Sequence, residues 1–213
     1  MKTMTKEAQE NMTPRQAVEL LVNGNKRFLS QTQVERDLIE QARITSVGQF
    51  PFAVTLSCID SRTTIEKIFD QGIGDLFSNR IAGNIINEDI LGSIEFSCAV
   101  AGSKLIAVVG HTKCGAVKGA CDDVKMGNLT ALLSKIKPAI EAEKTVSDTR
   151  NSTNDEFVEK VSVLNVKKSV EQIMERSPVI RDLVESGKVG IVGATHDIST
   201  GEVHFHEDTF IIN

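Results

Sequence analysis

Three short, almost wholly apolar runs constrain this chain more than any other feature: Phe52-Ala-Val-Thr-Leu56, Leu105-Ile-Ala-Val-Val109 and Val189-Gly-Ile-Val-Gly-Ala194. Runs this short suit strands rather than helices, and their β-branched content suits strands covered on both faces. Amphipathic helical patterns separate them. A parallel crossover needs a helix-length return, so alternation of this kind builds a mainly parallel sheet with helices on both sides. Two weaker strands complete the set, Asp75-Leu-Phe-Ser78 and Glu202 to His206. The expectation is an α/β fold: a mainly parallel central sheet of four strands plus an edge strand, helices on both faces and an N-terminal helical arm.

Thr13-Pro14 opens the first long helix, with Thr as cap and Pro in the first turn, and apolar residues recur at helical spacing to about Ser30. Further helices are expected over 33–46, 65–69, 88–101, 116–124, 128–144, 155–176 and from Pro178 to Gly187. There is no internal repeat. The chain reads as one domain over residues 1–213, with residues 1–46 as tail and arm.

Composition excludes several functions. A net charge of -5 gives no basic patch for nucleic acid, and the absence of Trp and Tyr leaves no stacking platform for bases. No apolar run reaches membrane-spanning length, and the polar start lacks the apolar core of a secretory signal. A cytoplasmic, reducing location is expected. There the cysteines at 58, 98, 114 and 121 read as core residues, ligands or working thiols before disulfides.

Chemistry in parallel sheets gathers at the carboxyl ends of strands. Two strand ends here carry reactive loops, Cys58-Ile-Asp-Ser-Arg62 and His111-Thr-Lys-Cys114. A Cys three residues after a His is a weak signal alone. Joined by Cys58, it supplies thiolate, imidazole and thiolate, the donor types zinc takes, with a fourth position left for water. Asp60 and Arg62 strengthen the reading. A nearby Arg keeps a carboxylate ionised and fixes its direction, so that it can orient a water activated beside it.

The segments Cys58-x-Asp-Ser-Arg62, Arg80-x-Ala-Gly-Asn84 and Gly110-His-x-x-Cys-Gly115 resemble, in order and spacing, the signature of the β-class carbonic anhydrases. The resemblance is sharpest from Gln49 to Cys121 and extends more weakly over most of the chain. It implies zinc-dependent, reversible hydration of carbon dioxide to bicarbonate and a proton. It implies one zinc per chain on Cys58, His111 and Cys114, with Asp60 and Arg62 as catalytic dyad and Asp60 as a metal ligand only in a closed, inactive state. Gln49, Phe77, Phe96 and Gly83 match substrate-pocket positions. Gln49, with Thr55 where another subgroup has Trp, points to the plant-like subgroup. In that subgroup pocket residues cross a dimer interface, so a homodimer or a tetramer built from dimers is implied, with the 1–46 arm packing across it.

Other residues read as structural. Cys98 and Cys121 lie on helix faces as small core residues. His196 suits a hydrogen-bonded structural role, and His204 and His206 share a solvated strand face. Lys113 and Lys118 read as solvated. Two alternative functions use the same zinc site: hydrolysis of carbonyl sulfide or carbon disulfide, and a non-catalytic zinc-stabilised oligomeric scaffold or thiol sensor.

Overall fold

The computed structural model describes residues 3–212, so residues 1, 2 and 213 of the expected unit lie outside it. The strands are β1 (Ala53–Ser57), β2 (Leu76–Arg80), β3 (Leu105–His111), β4 (Gly190–His196) and β5 (Val203–Ile211). They form one sheet in the order β2-β1-β3-β4-β5. The first four are parallel and β5 runs antiparallel to β4 at the edge. The apolar runs thus become the sheet's interior: every residue of β1 and β3 is buried, whereas β2 and β5 are partly exposed.

Alternation along the strands sends side chains to two separate cores. Val54, Leu56, Ile106, Val108 and Ile191 pack with α5 (Glu88–Glu95), α9 (Asp155–Arg176) and α10 (Pro178–Glu185). Ala53, Leu105, Ala107, Val109 and Val192 pack with α2 (Pro14–Leu29) and α4 (Ile65–Ile68). The arm helix α2 therefore buries Ala17, Val18 and Leu21 against its own sheet. Its start is a capping box between Thr13 and Gln16, with Pro14 in the first turn.

Several elements depart from the pattern read in the sequence. A short helix α1 (Lys6–Glu10) precedes the arm, capped by Thr5, and its buried Gln9 bonds the carbonyls of Pro51 and Ala101. Helix α3 (Leu38–Thr45) starts at 38 rather than 33. The preceding segment is held instead by Asp70, which accepts from the Val34 amide and from Arg36. The expected 88–101 helix turns from α to π geometry at Phe96–Val100. The expected 128–144 helix is two, α7 (Gly127–Leu133) and α8 (Lys137–Ala142), because Pro138 has no amide hydrogen with which to continue α7. Strand β5 runs on to Ile211, past the expected His206, and Thr209 Oγ1 there accepts the Gly193 amide at 2.8 Å. Among the described residues no helix is long and apolar enough to cross a membrane.

The topology itself selects the place for chemistry. β1 and β3 are neighbours although β2 lies between them in sequence. The chain leaves β1 toward one side of the sheet and β3 toward the other, opening a crevice at their carboxyl ends, where ligands bind in such sheets. Cys58 follows β1 directly, and His111 is the last residue of β3.

Candidate metal centre

Cys58, His111 and Cys114 converge at this crevice, with their ligand atoms all within 4.8 Å of one another. Cys114 caps α6 (Gly115–Cys121), so the turn between β3 and α6 carries two of the three donors. All three residues are buried, at 4%, 1% and 1% exposure. The cysteines sit among Ile85, Val117, Ile136, Phe157 and Val161, a third apolar cluster under the loops.

The donors fit a zinc ion. Cys58 Sγ and Cys114 Sγ are 4.0 Å apart, against about 3.8 Å for two thiolates about 2.3 Å from a tetrahedral zinc. His111 Nδ1 lies 2.9 Å from the Thr112 carbonyl, which can only accept, so Nδ1 carries the proton. That leaves Nε2 as the buried lone pair, and it has no hydrogen-bond partner. A buried imidazole nitrogen without a partner, beside two thiols, is an arrangement a metal would complete. The two thiols titrate as a pair: the hydrogen bond with Cys114 lowers the Cys58 thiol well below its usual range, and the resulting Cys58 thiolate pushes Cys114 up. Burial alone would lower the His111 pKa, but the Cys58 thiolate outweighs it and the net shift is upward.

Asp60 and Arg62 are paired as the sequence suggests. Arg62 Nε and Nη2 donate to the two Asp60 oxygens at 2.9 and 2.8 Å, and the Arg62 amide adds a third bond at 2.9 Å. Arg62 holds the carboxyl well below the usual carboxylate range. Asp60 is absent from the ligand cluster, which holds three residues among those described.

Three features of the site escape sequence reading. Arg80, quoted only as part of a motif, reaches the carbonyls of Cys58 and Asp60 with Nε and Nη2 at 3.1 and 2.6 Å, clasping the first loop. Glu159 of α9 accepts the Lys113 amide at 2.8 Å, where Lys113 stands at φ +55° between His111 and Cys114. Asn165 and Ser169, also on α9, bond the carbonyls of Gly83 and Asn84. The signal was a set of polar residues on the buried face of a helix otherwise lined by apolar side chains.

The expected pocket residues are dispersed. Phe77 and Phe96 meet edge-to-face at 6.3 Å and line an open groove with Ser78, Asn79 and Glu88, separate from the three ligand residues. Phe96 is 54% exposed, and Gln49 is exposed. Gly83 is buried, and its amide donates to Cys58 Sγ at 3.4 Å. His196 lies opposite His111 in the sheet, buried, with Nδ1 3.5 Å from Thr63 Oγ1. Cys98 and Cys121 stand outside the Cys58–His111–Cys114 group, and burial, the one cause for Cys98 and the largest for Cys121, pushes their thiols up to about 12 and about 11. Lys118 pairs with Asp155.

Comparison with known proteins identifies what this geometry belongs to. A family model described as carbonic anhydrase matches residues 53–203. The chain belongs to the β-class carbonic anhydrases. Carbonic anhydrase 2 of Mycobacterium tuberculosis is 34% identical over 197 residues, 90% of this chain and 92% of that protein. The β-carbonic anhydrase CafA of Aspergillus fumigatus superposes with a TM-score of 0.70 at 23% identity, covering 91% of each chain. A tetrameric β-carbonic anhydrase of Sordaria macrospora gives 0.70 at 23% identity, covering 91% of this chain and 95% of that one. As a carbonic anhydrase, the chain is a lyase, a carbonate dehydratase. Neither the sulfur-substrate hydrolase nor the scaffold alternative draws support from these relatives.

Proposed function

We propose that this carbonic anhydrase hydrates carbon dioxide reversibly to bicarbonate and a proton, using one zinc ion held by Cys58, His111 and Cys114. The observation that carries the reading is the buried, unpartnered His111 Nε2 beside the two sulfurs, with an ionised Asp60 next to them. Zinc bound there supplies a Lewis acid that lowers the pKa of water from about 16 toward about 7 in nitrogen-liganded sites, and less far where two thiolates offset its charge.

The chain's residues do the rest. Asp60 is fully ionised and therefore only accepts hydrogen bonds. It takes the O–H of the attacking oxygen and turns the oxygen's lone pair toward the substrate carbon. Arg62 fixes the Asp60 carboxylate in this direction and keeps it off the metal position. Arg80 fixes the backbone from which both Cys58 and Asp60 project. Gln49 donates to the substrate oxygen that gains charge. Phe77 and Phe96 form an apolar wall for carbon dioxide, and Gly83 borders the site through its bond to Cys58. The Phe77–Phe96 groove opens outward, which suits a homodimer, alone or paired into a tetramer, in which these side chains complete the partner's pocket and the 1–46 arm packs across the interface. The Asp60–Arg62 pairing, Gln49 and Thr55 together support the plant-like subgroup; movement of Asp60 onto the metal would be its closed state. Four free cysteines suit a cytoplasmic location.

The test is stopped-flow hydration of carbon dioxide by zinc-loaded protein between about pH 6 and 9. A rate rising with pH supports the proposal. A flat or falling rate, or no hydration, overturns it.

A further inference from the structure

The buried face of α9 carries Ser162, Asn165 and Ser169 in the midst of Val158, Val161, Val166 and Val170. These three are 3%, 3% and 1% exposed. Asparagine and serine are poor choices for a helix interior and costly to bury without a partner; among the described residues Ser162 Oγ has none, whereas Asn165 and Ser169 do. Asn165 Nδ2 donates to the Gly83 carbonyl at 2.8 Å, and Ser169 Oγ donates to the Asn84 carbonyl at 3.0 Å.

The Gly83 carbonyl belongs to the same peptide unit as the Asn84 amide, which bonds the Ile81 carbonyl at 3.0 Å. Asn165 therefore holds one end of that peptide and Ile81 the other. Between this fixed plane and the Gly83 amide only the two dihedrals of Gly83 remain. Gly83 sits at φ +69°, and a Cβ there would lie 2.7 Å from Ile136 Cδ1, so the position is confined to glycine. Glycine is the residue least able to hold its own conformation. Its amide nevertheless points at Cys58 Sγ, 3.4 Å away. A donor on so free a residue stays aimed when the next peptide is anchored, and Asn165 is the side chain that anchors it, with the Ile81 carbonyl at the peptide's other end.

We infer that Asn165 is a positioning residue for the metal thiolate: through Gly83 it aims an N–H at Cys58 Sγ and so draws charge from the sulfur, leaving the metal more electrophilic. Ser169, which holds the following peptide, has no such line to the sulfur. The inference rests on the proposal that Cys58, His111 and Cys114 bind a metal.

The experiment uses the full chain loaded with cobalt(II), whose sulfur-to-metal charge-transfer band reports the electron density on the thiolates. Parent, Asn165→Ala and Ser169→Ala are compared for band position, thermal stability and, with zinc, hydration rate. Loss of the hydrogen bond moves the band to longer wavelength in Asn165→Ala, with hydration falling about tenfold or more. Ser169→Ala melts earlier with the parental band. Should Asn165→Ala fail to fold, Asn165→Ser decides: its hydroxyl is polar but ends one bond short of the Gly83 carbonyl. A folded, cobalt-loaded Asn165 variant with the parental band overturns the inference, whatever its melting temperature. An equal band shift in Ser169→Ala also overturns it, since general loosening then explains both. If the parent takes up cobalt with no thiolate band, the metal-site proposal falls, and this inference with it.

Discussion

Replacing Asp70 with asparagine removes one charge from a knot that ties the arm to the body. The Asp70 side chain is 2% exposed. It accepts from Arg27 Nε of α2 at 2.5 Å, from Arg36 Nη1 at 2.5 Å and from the Val34 amide at 3.2 Å. Burial alone would raise its pKa, but Arg27 and Arg36 outweigh burial and the net shift is downward. A carboxyl lowered by folding contributes stability above its unfolded pKa of about 3.9, and that contribution is lost as pH falls through the folded value. Removing one partner of a buried pair costs roughly 3–5 kcal/mol. Arg36 keeps the carbonyls of Val34 and Asp70, and the Arg27 side chain is 30% exposed, which places the cost at the low end, about 3 kcal/mol. For a chain of this length that lowers Tm by about 6–12 °C. Circular dichroism melts of parent and Asp70→Asn, at one protein concentration, measure the gap near neutral pH and near about pH 3. The gap should be full at neutral pH and narrow in acid. Equal Tm values at neutral pH, or a gap that widens on acidification, would show that Asp70 does not stabilise the fold through its charge.

Other predictions concern the site and its supports. Gly110→Ala places a methyl 2.6 Å from Val166 Cγ2, just before His111, and should cost about 1–3 kcal/mol in urea unfolding, partly restored by adding Val166→Ala. Arg80→Lys replaces a two-armed clasp on Cys58 and Asp60 by a single ammonium; zinc loss to a chelator should quicken about tenfold or more, and an unchanged rate would count against the clasp. Because Arg62 keeps Asp60 ionised well below neutral pH, Asp60→Asn should lower the hydration plateau about 10- to 100-fold, and an unchanged plateau would count against its role.

The strands and the clustering of Cys58, His111 and Cys114 were legible because each is written locally. An apolar run such as Leu105 to Val109 has few homes other than a doubly covered strand, and Cys58, His111 and Cys114 stand at or just beyond two such runs. What escaped the sequence depends on distant partners. Helix α3 begins late because Asp70, from another loop, claims Val34 and Arg36. Strand β5 lengthens because Thr209 reaches the Gly193 amide. The stripe of Asn165 and Ser169 offered a polar pattern without its reason, since the carbonyls it serves lie more than eighty residues earlier. Arg80 was visible as a motif letter, yet its role appears only when β2 lies beside β1.

On the proposed function, three buried side chains hold a zinc ion that serves carbon dioxide hydration. The direct measurement is zinc content determined together with hydration rate, in the parent and in Cys58→Ser. About one zinc per parent chain is expected, with hydration in the parent and loss of both metal and activity in the variant. A parent that hydrates carbon dioxide without bound metal, or a Cys58→Ser variant that keeps full zinc and full activity, would contradict the account.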